Sequence, residues 1–154
     1  MNIIIEGPDG AGKSYLAKQL AEALNLQIVH FVAPTDNSSQ FDMYRDFLID
    51  AHNTILDRAW YSDMVYGPIF RGKAEIRSNA MRELERGAED TIIIYCTGPK
   101  HAMWLAAQER GETFVENYAQ YKEICRRYDE VMLQLYHEIP VHVREATWLQ
   151  EKKI

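Results

Sequence analysis

The run "GPDGAGKS", residues 7 to 14, combines three glycines with a lysine and a hydroxyl. Glycine lets successive backbone N–H groups turn inward and form a nest for an anion, in conformations that a Cβ makes costly. Gly7, Gly12, Lys13 and Ser14 satisfy the complete G-x-x-x-x-G-K-[ST] pattern. In that arrangement Lys13 reaches the β- and γ-phosphates, and the Ser14 hydroxyl ligates Mg2+. The expected ligand is a nucleoside triphosphate, with ATP and Mg2+ as cofactors. The expected binding set is Gly7, Asp9, Gly10, Ala11, Gly12, Lys13, Ser14 and Tyr15.

A second charged group ends the apolar run "TILDR". Asp57 there could hold Mg2+ directly or through water, and Arg58 could clamp charge on a transferring phosphoryl group. A plain surface Asp–Arg pair is the alternative reading. Phe41 and Arg45 are four residues apart, one helical turn, so they share a face.

These residues need elements to hold them. "NIIIEG" reads as a buried strand that stops at a glycine, and helical spacing begins at Ser14, with Leu16, Leu20, Ala21 and Leu24 recurring and Asn25 as a stop. The phosphate-loop pattern therefore sits between a strand and a helix, the context that gives it meaning. "QIVHFVAP" is a second strand closed by Pro34, followed by a loop "TDNSSQ" and a helix over 41–53. "NTILDR" is a third strand, and "SDMVYGPIFRG" a helix broken near Gly67-Pro68. "AEIRSNAMRELERG" is a helix closed by Gly87, "TIIIYCTGP" a strand and "HAMWLAAQERG" a helix. A long helical stripe runs from Phe114 through Tyr118, Tyr121, Ile124, Cys125, Tyr128, Val131 and Met132 to Leu135, and is assigned to the core. "PVHVREATW" is the last strand. Five short apolar strands alternating with helices predict one three-layer α/β domain over residues 1–154. Its five-stranded parallel sheet is covered by helices on both faces, as in the P-loop NTP hydrolase-type fold.

"EGPDGAGKS" followed by "DRAWYSDMVYG" resembles the thymidylate kinase family, whose phosphate loop commonly carries an internal aspartate and whose D-R pair leads to an acceptor pocket. The resemblance implies transfer of the ATP γ-phosphate to a deoxynucleoside monophosphate, most simply dTMP or a modified pyrimidine. It implies that Asp9 accepts a hydrogen bond from the acceptor's 3′-hydroxyl, although Asp9 also fits a turn-stabilising role. It implies that Arg58, Ser62, Asp63 and Tyr66 line the acceptor pocket, and that Phe41 and Arg45 stack on and bond the base. Phe41 in the core with Arg45 on the surface is the competing arrangement. Arg110, beside Gly111, resembles a shortened lid that closes over the phosphates. The family arginine after the second strand is missing from "HFVAPTD", so its phosphate-holding duty falls to Arg45, Arg58 or Arg71. Asp63 stands where the family has an asparagine. These features resemble compact phage-type members, and the family implies a homodimer.

Composition narrows the partners. With 17 Lys and Arg against 23 Asp and Glu, the net charge is −6, which argues against general nucleic-acid binding. Cys96 and Cys125 show no metal-like spacing and read as small buried hydrophobes. No apolar run approaches the ~18 residues of a membrane span, so the expected location is the cytoplasm, that of a host if the chain is phage-encoded. Two rivals remain: a kinase acting on a hydroxymethyl pyrimidine within DNA, and a nucleotide-binding regulator without transfer activity.

Overall fold

A computed structural model describes residues 1–31, 39–88, 90–111 and 115–146. The strands are β1 (Asn2–Glu6), β2 (Gln27–His30), β3 (Thr54–Asp57), β4 (Thr91–Thr97) and β5 (Val141–Glu145). They form one parallel sheet in the order β2-β3-β1-β4-β5. Helices α1 (Lys13–Leu24), α2 (Gln40–Asp50), α3 (Trp60–Tyr66), α4 (Ser78–Arg86), α5 (Lys100–Glu109) and α6 (Tyr118–Asp129) flank it.

The central strand is β1, buried along its whole length. Its run of isoleucines suits a strand covered on both faces, where alternation of apolar and polar residues would fail. Ile3, Ile4, Ile5, Ile55, Leu56 and Ile93 form the middle of the core. From β1 the chain crosses toward β2, and from β4 it crosses the other way to β5. A crevice therefore opens at the carboxyl ends of the strands, where ligands of such sheets collect. Both charged motifs leave strands at that edge, because Ile5 pairs with Asp57 in the β1–β3 ladder.

Several elements depart from their sequence readings. β2 ends at His30; the anticipated stop at Pro34 and most of the following loop fall outside the described residues. In α1, Leu16 and Ala17 are buried while Leu24 is half exposed, so the buried stripe starts closer to the helix N-terminus. Gly67-Pro68 does not break the helix after Trp60. The chain continues through a π-helical turn, Gly67–Arg71, and stops at Gly72. A wide turn relieves the clash of a proline ring with the preceding carbonyls, which a tight helix would suffer. The long stripe splits into α6 and a second π-helical turn, Glu130–Gln134. Its Tyr121, Ile124, Cys125, Tyr128, Val131 and Met132 are buried, and Phe114 lies outside the described residues. Residues 74–77, read as helical, precede α4, which starts at Ser78.

Candidate active site

The phosphate loop takes its shape from its glycines. Gly7, Gly10 and Gly12 have φ of 150°, 85° and 82°. A Cβ on Gly7 would lie 2.1 Å from the Cys96 carbonyl oxygen of β4, and one on Gly10 would lie 2.1 Å from the Met103 carbonyl oxygen of α5. The loop is thus pressed against the sheet and a helix, with no room for side chains on that side. Helix α1 begins at Lys13 without a side-chain cap, so its positive dipole end and free amides face the loop. Lys13 is nearly buried, and its Nζ donates to the Pro8 carbonyl at 2.8 Å. Burial, then the nearby Arg58 guanidinium, lowers the Lys13 pKa to about 8. Ala11 is buried; Ser14 and Tyr15 are exposed at the start of α1.

Arg58 stands at the centre of the second half. It follows β3 in a left-handed conformation, φ 70°, while its N–H donates to the Ile5 carbonyl at 2.9 Å. Its guanidinium donates to Asp9 Oδ1 at 2.5 Å, to the Tyr66 hydroxyl at 3.2 Å and to the Tyr128 hydroxyl at 2.9 Å. The phosphate loop and the second motif therefore meet through the Asp9–Arg58 pair. Asp57, one residue earlier, is largely buried, with His30 Nδ1 3.4 Å from its Oδ2.

Beside Arg58 opens a cavity of about 190 Å3 whose lining includes Gln40, Tyr44, Ser62, Asp63, Tyr66 and Arg71. Ser62 and Tyr66, two of the residues the resemblance singled out, thus lie side by side on its wall. Asp63 lines the cavity too, and it is 6% exposed and engaged with protein donors. Its Oδ1 accepts from Arg71 at 2.5 Å and from Gln40 at 3.4 Å, and its Oδ2 from the Ile76 N–H at 2.8 Å. Asp63 therefore clamps the end of the π-helical turn to the following loop.

Phe41 and Arg45 lie apart from Ser62 and Tyr66. They do share a face, with the Arg45 guanidinium carbon 5.7 Å from the Phe41 ring centroid. That face borders a separate groove of about 200 Å3 with Leu48, Ile49, Glu83 and Leu84, between α2 and α4. The Gln40, Met43 and Tyr44 face of α2 is the one that meets the cavity beside Arg58. Spacing sets which residues are neighbours on a helix, whereas packing sets which neighbours turn inward. Of the candidates for the phosphate-holding arginine, Arg58 and Arg71 line the cavity and Arg45 does not. Arg110 caps the C-terminus of α5 on the surface, and the lid reading beyond Gly111 falls on residues 112–114, outside the described residues.

Sequence reading missed Glu6. It closes β1 with no exposure, accepting from the Ala59 N–H at 2.6 Å and from Ser62 Oγ at 2.8 Å. Burial raises its pKa, while Arg58 and the hydrogen bonds oppose that rise. The available signal was a carboxylate at the end of an isoleucine run, where a strand entering the core would not otherwise put one. Tyr121 and Tyr128 were also missed as polar participants. Tyr121 donates to the Asp9 backbone carbonyl, and Tyr128 contacts Arg58.

Among the described residues no cluster of three or more His, Cys, Asp or Glu could cage a metal ion. Mg2+ needs no such cage, since it keeps waters and takes one or two protein ligands plus substrate phosphates. The Ser14 hydroxyl and the Asp57 carboxylate, at the same sheet edge, fit that demand.

Solved structures share this α/β fold, a five-stranded parallel sheet flanked by helices. YorR from Bacillus subtilis, solved in complex with phosphorylated GDP, matches with a TM-score of 0.76 and 23% identity, over 96% of this chain and 85% of its own. Deoxyadenosine kinase from M. mycoides with bound dCTP matches with a TM-score of 0.62 and 19% identity, over 95% and 90%. Polyphosphate kinase 2 from Arthrobacter aurescens TC1 gives 0.68 and 18%, over 92% of this chain and 59% of its own. No protein-family model and no curated protein sequence matches the chain. Among the described residues, no helix is long and apolar enough to cross a membrane.

Proposed function

We propose that this protein is an ATP-dependent kinase that transfers the γ-phosphoryl group to a (deoxy)nucleoside monophosphate. The resemblance of "EGPDGAGKS" and "DRAWYSDMVYG" to thymidylate kinases makes a pyrimidine deoxynucleotide the first acceptor to test. The observation that carries the reading is Arg58, held between Asp9 of the phosphate loop and the hydroxyl-lined acceptor cavity. A cation at that junction can neutralise equatorial oxygens of the moving group while both substrates are aligned.

Glu6, Asp9 and Asp63 support a phosphate acceptor over a hydroxyl one. Each of these carboxylates already accepts hydrogen bonds from protein donors. A hydroxyl acceptor calls for a base, whereas an anionic phosphate calls for alignment and charge. In this reading Lys13 and Arg58 carry charge, Ser14 and Asp57 hold Mg2+, and Ser62 and Tyr66 orient the acceptor. Arg71, half exposed at the cavity mouth, receives the acceptor phosphate. Asp9 holds Arg58 and faces the acceptor sugar. Bound Mg2+ would neutralise charge on the phosphates, and Arg110 would approach them from the α5 end. YorR and deoxyadenosine kinase, both solved with nucleotides, support nucleotide binding by this fold, and the name of the second makes a nucleoside a further acceptor to include in the test.

The test is incubation with Mg·ATP and a panel of nucleosides and of canonical and modified monophosphates, with duplex DNA as a separate arm and products identified by mass. A diphosphate product is expected from the free monophosphates. Lys13→Ala should lower turnover by roughly 10²-fold or more, with an unchanged circular dichroism spectrum. Equal rates in that variant would remove the assignment. Transfer to DNA alone would favour the base-in-DNA reading, and ATP binding without product the regulator.

A further inference from the structure

Tyr121 and Tyr128 lie two turns apart on the buried face of α6. Periodicity places both in the core, yet each sends its hydroxyl into the site. Tyr128 is 0% exposed. Its oxygen lies 2.9 Å from Arg58 Nη1, 3.1 Å from Ser62 Oγ and 3.4 Å from Glu6 Oε2.

Donor chemistry orders these contacts. A guanidinium only donates, so the Tyr128 oxygen accepts from Arg58. Ser62 Oγ donates to Glu6 Oε2 at 2.8 Å, which leaves its lone pairs for the Tyr128 hydrogen. The contacts then run one way, Arg58 to Tyr128 to Ser62 to Glu6, and the Ala59 N–H closes the chain on the other Glu6 oxygen. Burial pushes the Tyr128 phenol far above its ordinary pKa, so it keeps the hydrogen that this order requires.

Arg58 has three side-chain acceptors, and they differ in their exposure to substrate. Asp9 belongs to the phosphate loop, and Tyr66 lines the acceptor cavity. Both meet groups that change when substrates enter. Tyr128 does not line that cavity and is sealed from solvent. We propose that Tyr128 is a positioning residue, the substrate-independent anchor that aims Arg58 at the junction between nucleotide and acceptor. The proposal deepens the phosphoryl-transfer reading and rests on it for its kinetic consequence, though not for its geometric one.

Tyr128→Phe removes one oxygen and keeps the ring. Its crystal structure should show the Arg58 guanidinium displaced from Asp9, and its kcat should fall by about tenfold while KM for ATP stays within about twofold. Tyr95→Phe is the control: Tyr95 is equally buried, but its hydroxyl donates to Asp129 at 2.6 Å, and kcat should hold. A general packing defect would instead lower the active fraction in both variants alike. Should Tyr128→Phe fail to fold, arginine-labelled NMR of the wild type decides the matter. Slow rotation and slow exchange of the Arg58 Nη hydrogens support the anchor, and a freely rotating guanidinium overturns it. Arg58 still bonded to Asp9 in the Tyr128→Phe crystal also overturns it, whatever the rates. If the wild-type protein transfers no phosphoryl group, the functional reading fails, while the displacement of Arg58 still decides its anchoring.

Discussion

Lys13 shows how a single residue carries both a cost and a use. Its ammonium is nearly buried, bonded to the Pro8 carbonyl, and its pKa is lowered to about 8 by burial first and Arg58 second. The unfolded chain, with an ordinary lysine pKa of 10.5, binds more protons between those values. Stability of the nucleotide-free protein should therefore gain from Lys13 as pH rises from about 8 toward 10.5, where the folded form no longer holds a buried charge. Nucleotide binding has the opposite sign. A phosphate tail supplies the missing counter-charge, raises the Lys13 pKa and draws in a proton near pH 8. Calorimetry at pH 8 in two buffers of different ionisation enthalpy should report proton uptake on binding ATP, with affinity falling as pH climbs further. A buffer-independent enthalpy at that pH contradicts it.

At the scale of elements, the phosphate loop is a wedge between β4 and α5. Gly10→Ala would put a Cβ 2.1 Å from a backbone oxygen at φ 85°, where relief requires α5 to shift. Strain and overpacking together should cost about 3 kcal/mol or more, read from the urea midpoint. Loop, strand and helix here were legible because their signals are local: glycine stereochemistry, a β-branched run, and a change of period at the junction. The faces of α2 were not. Phe41 and Arg45 are one turn apart in any helix, but Ser39 caps this one, and Tyr44 packs against Phe31 and Trp60. Those contacts rotate Gln40 and Tyr44, and not Phe41, toward the cavity. Asp63 was likewise legible as a neighbour of Ser62 and Tyr66 and illegible as a clamp, since its partners Arg71 and Ile76 are positioned by a π-helical turn that no pattern announced.

The whole molecule divides its polar interior between the two ends of the sheet. At the carboxyl end lie the loop, Arg58 and the cavity. Toward the amino end of β4, Glu85 of α4 is buried against α3 and the segment leading to β5. It accepts from the Tyr61 hydroxyl at 2.5 Å and the Glu138 N–H at 2.7 Å, and lies 2.8 Å from His137 Nδ1. His137 Nε2 faces the Val131 carbonyl at 2.9 Å, an acceptor, so that nitrogen carries a hydrogen. Glu85→Ala would strand these partners in the interior and should cost about 3 kcal/mol of stability. Because none of these partners lines the cavity beside Arg58, kcat and KM should stay within about twofold. A large kinetic change with unaltered stability contradicts that division.

What the sequence by itself determined was the phosphate-loop half: strand, glycine loop, Lys13 and helix, and the Asp57–Arg58 pair at a strand end. Each of these depends on backbone conformations and periods set within a dozen residues. Tertiary structure decided the half around the cavity beside Arg58. It selected the Gln40 face of α2, spent Asp63 on Arg71 and Ile76, and brought Glu6, Ser62 and Tyr128 to Arg58. Those contacts join residues as far apart in the chain as Glu6 and Tyr128. Hydrogen-bond direction and burial, which govern them, exist only once the helices have packed on the sheet.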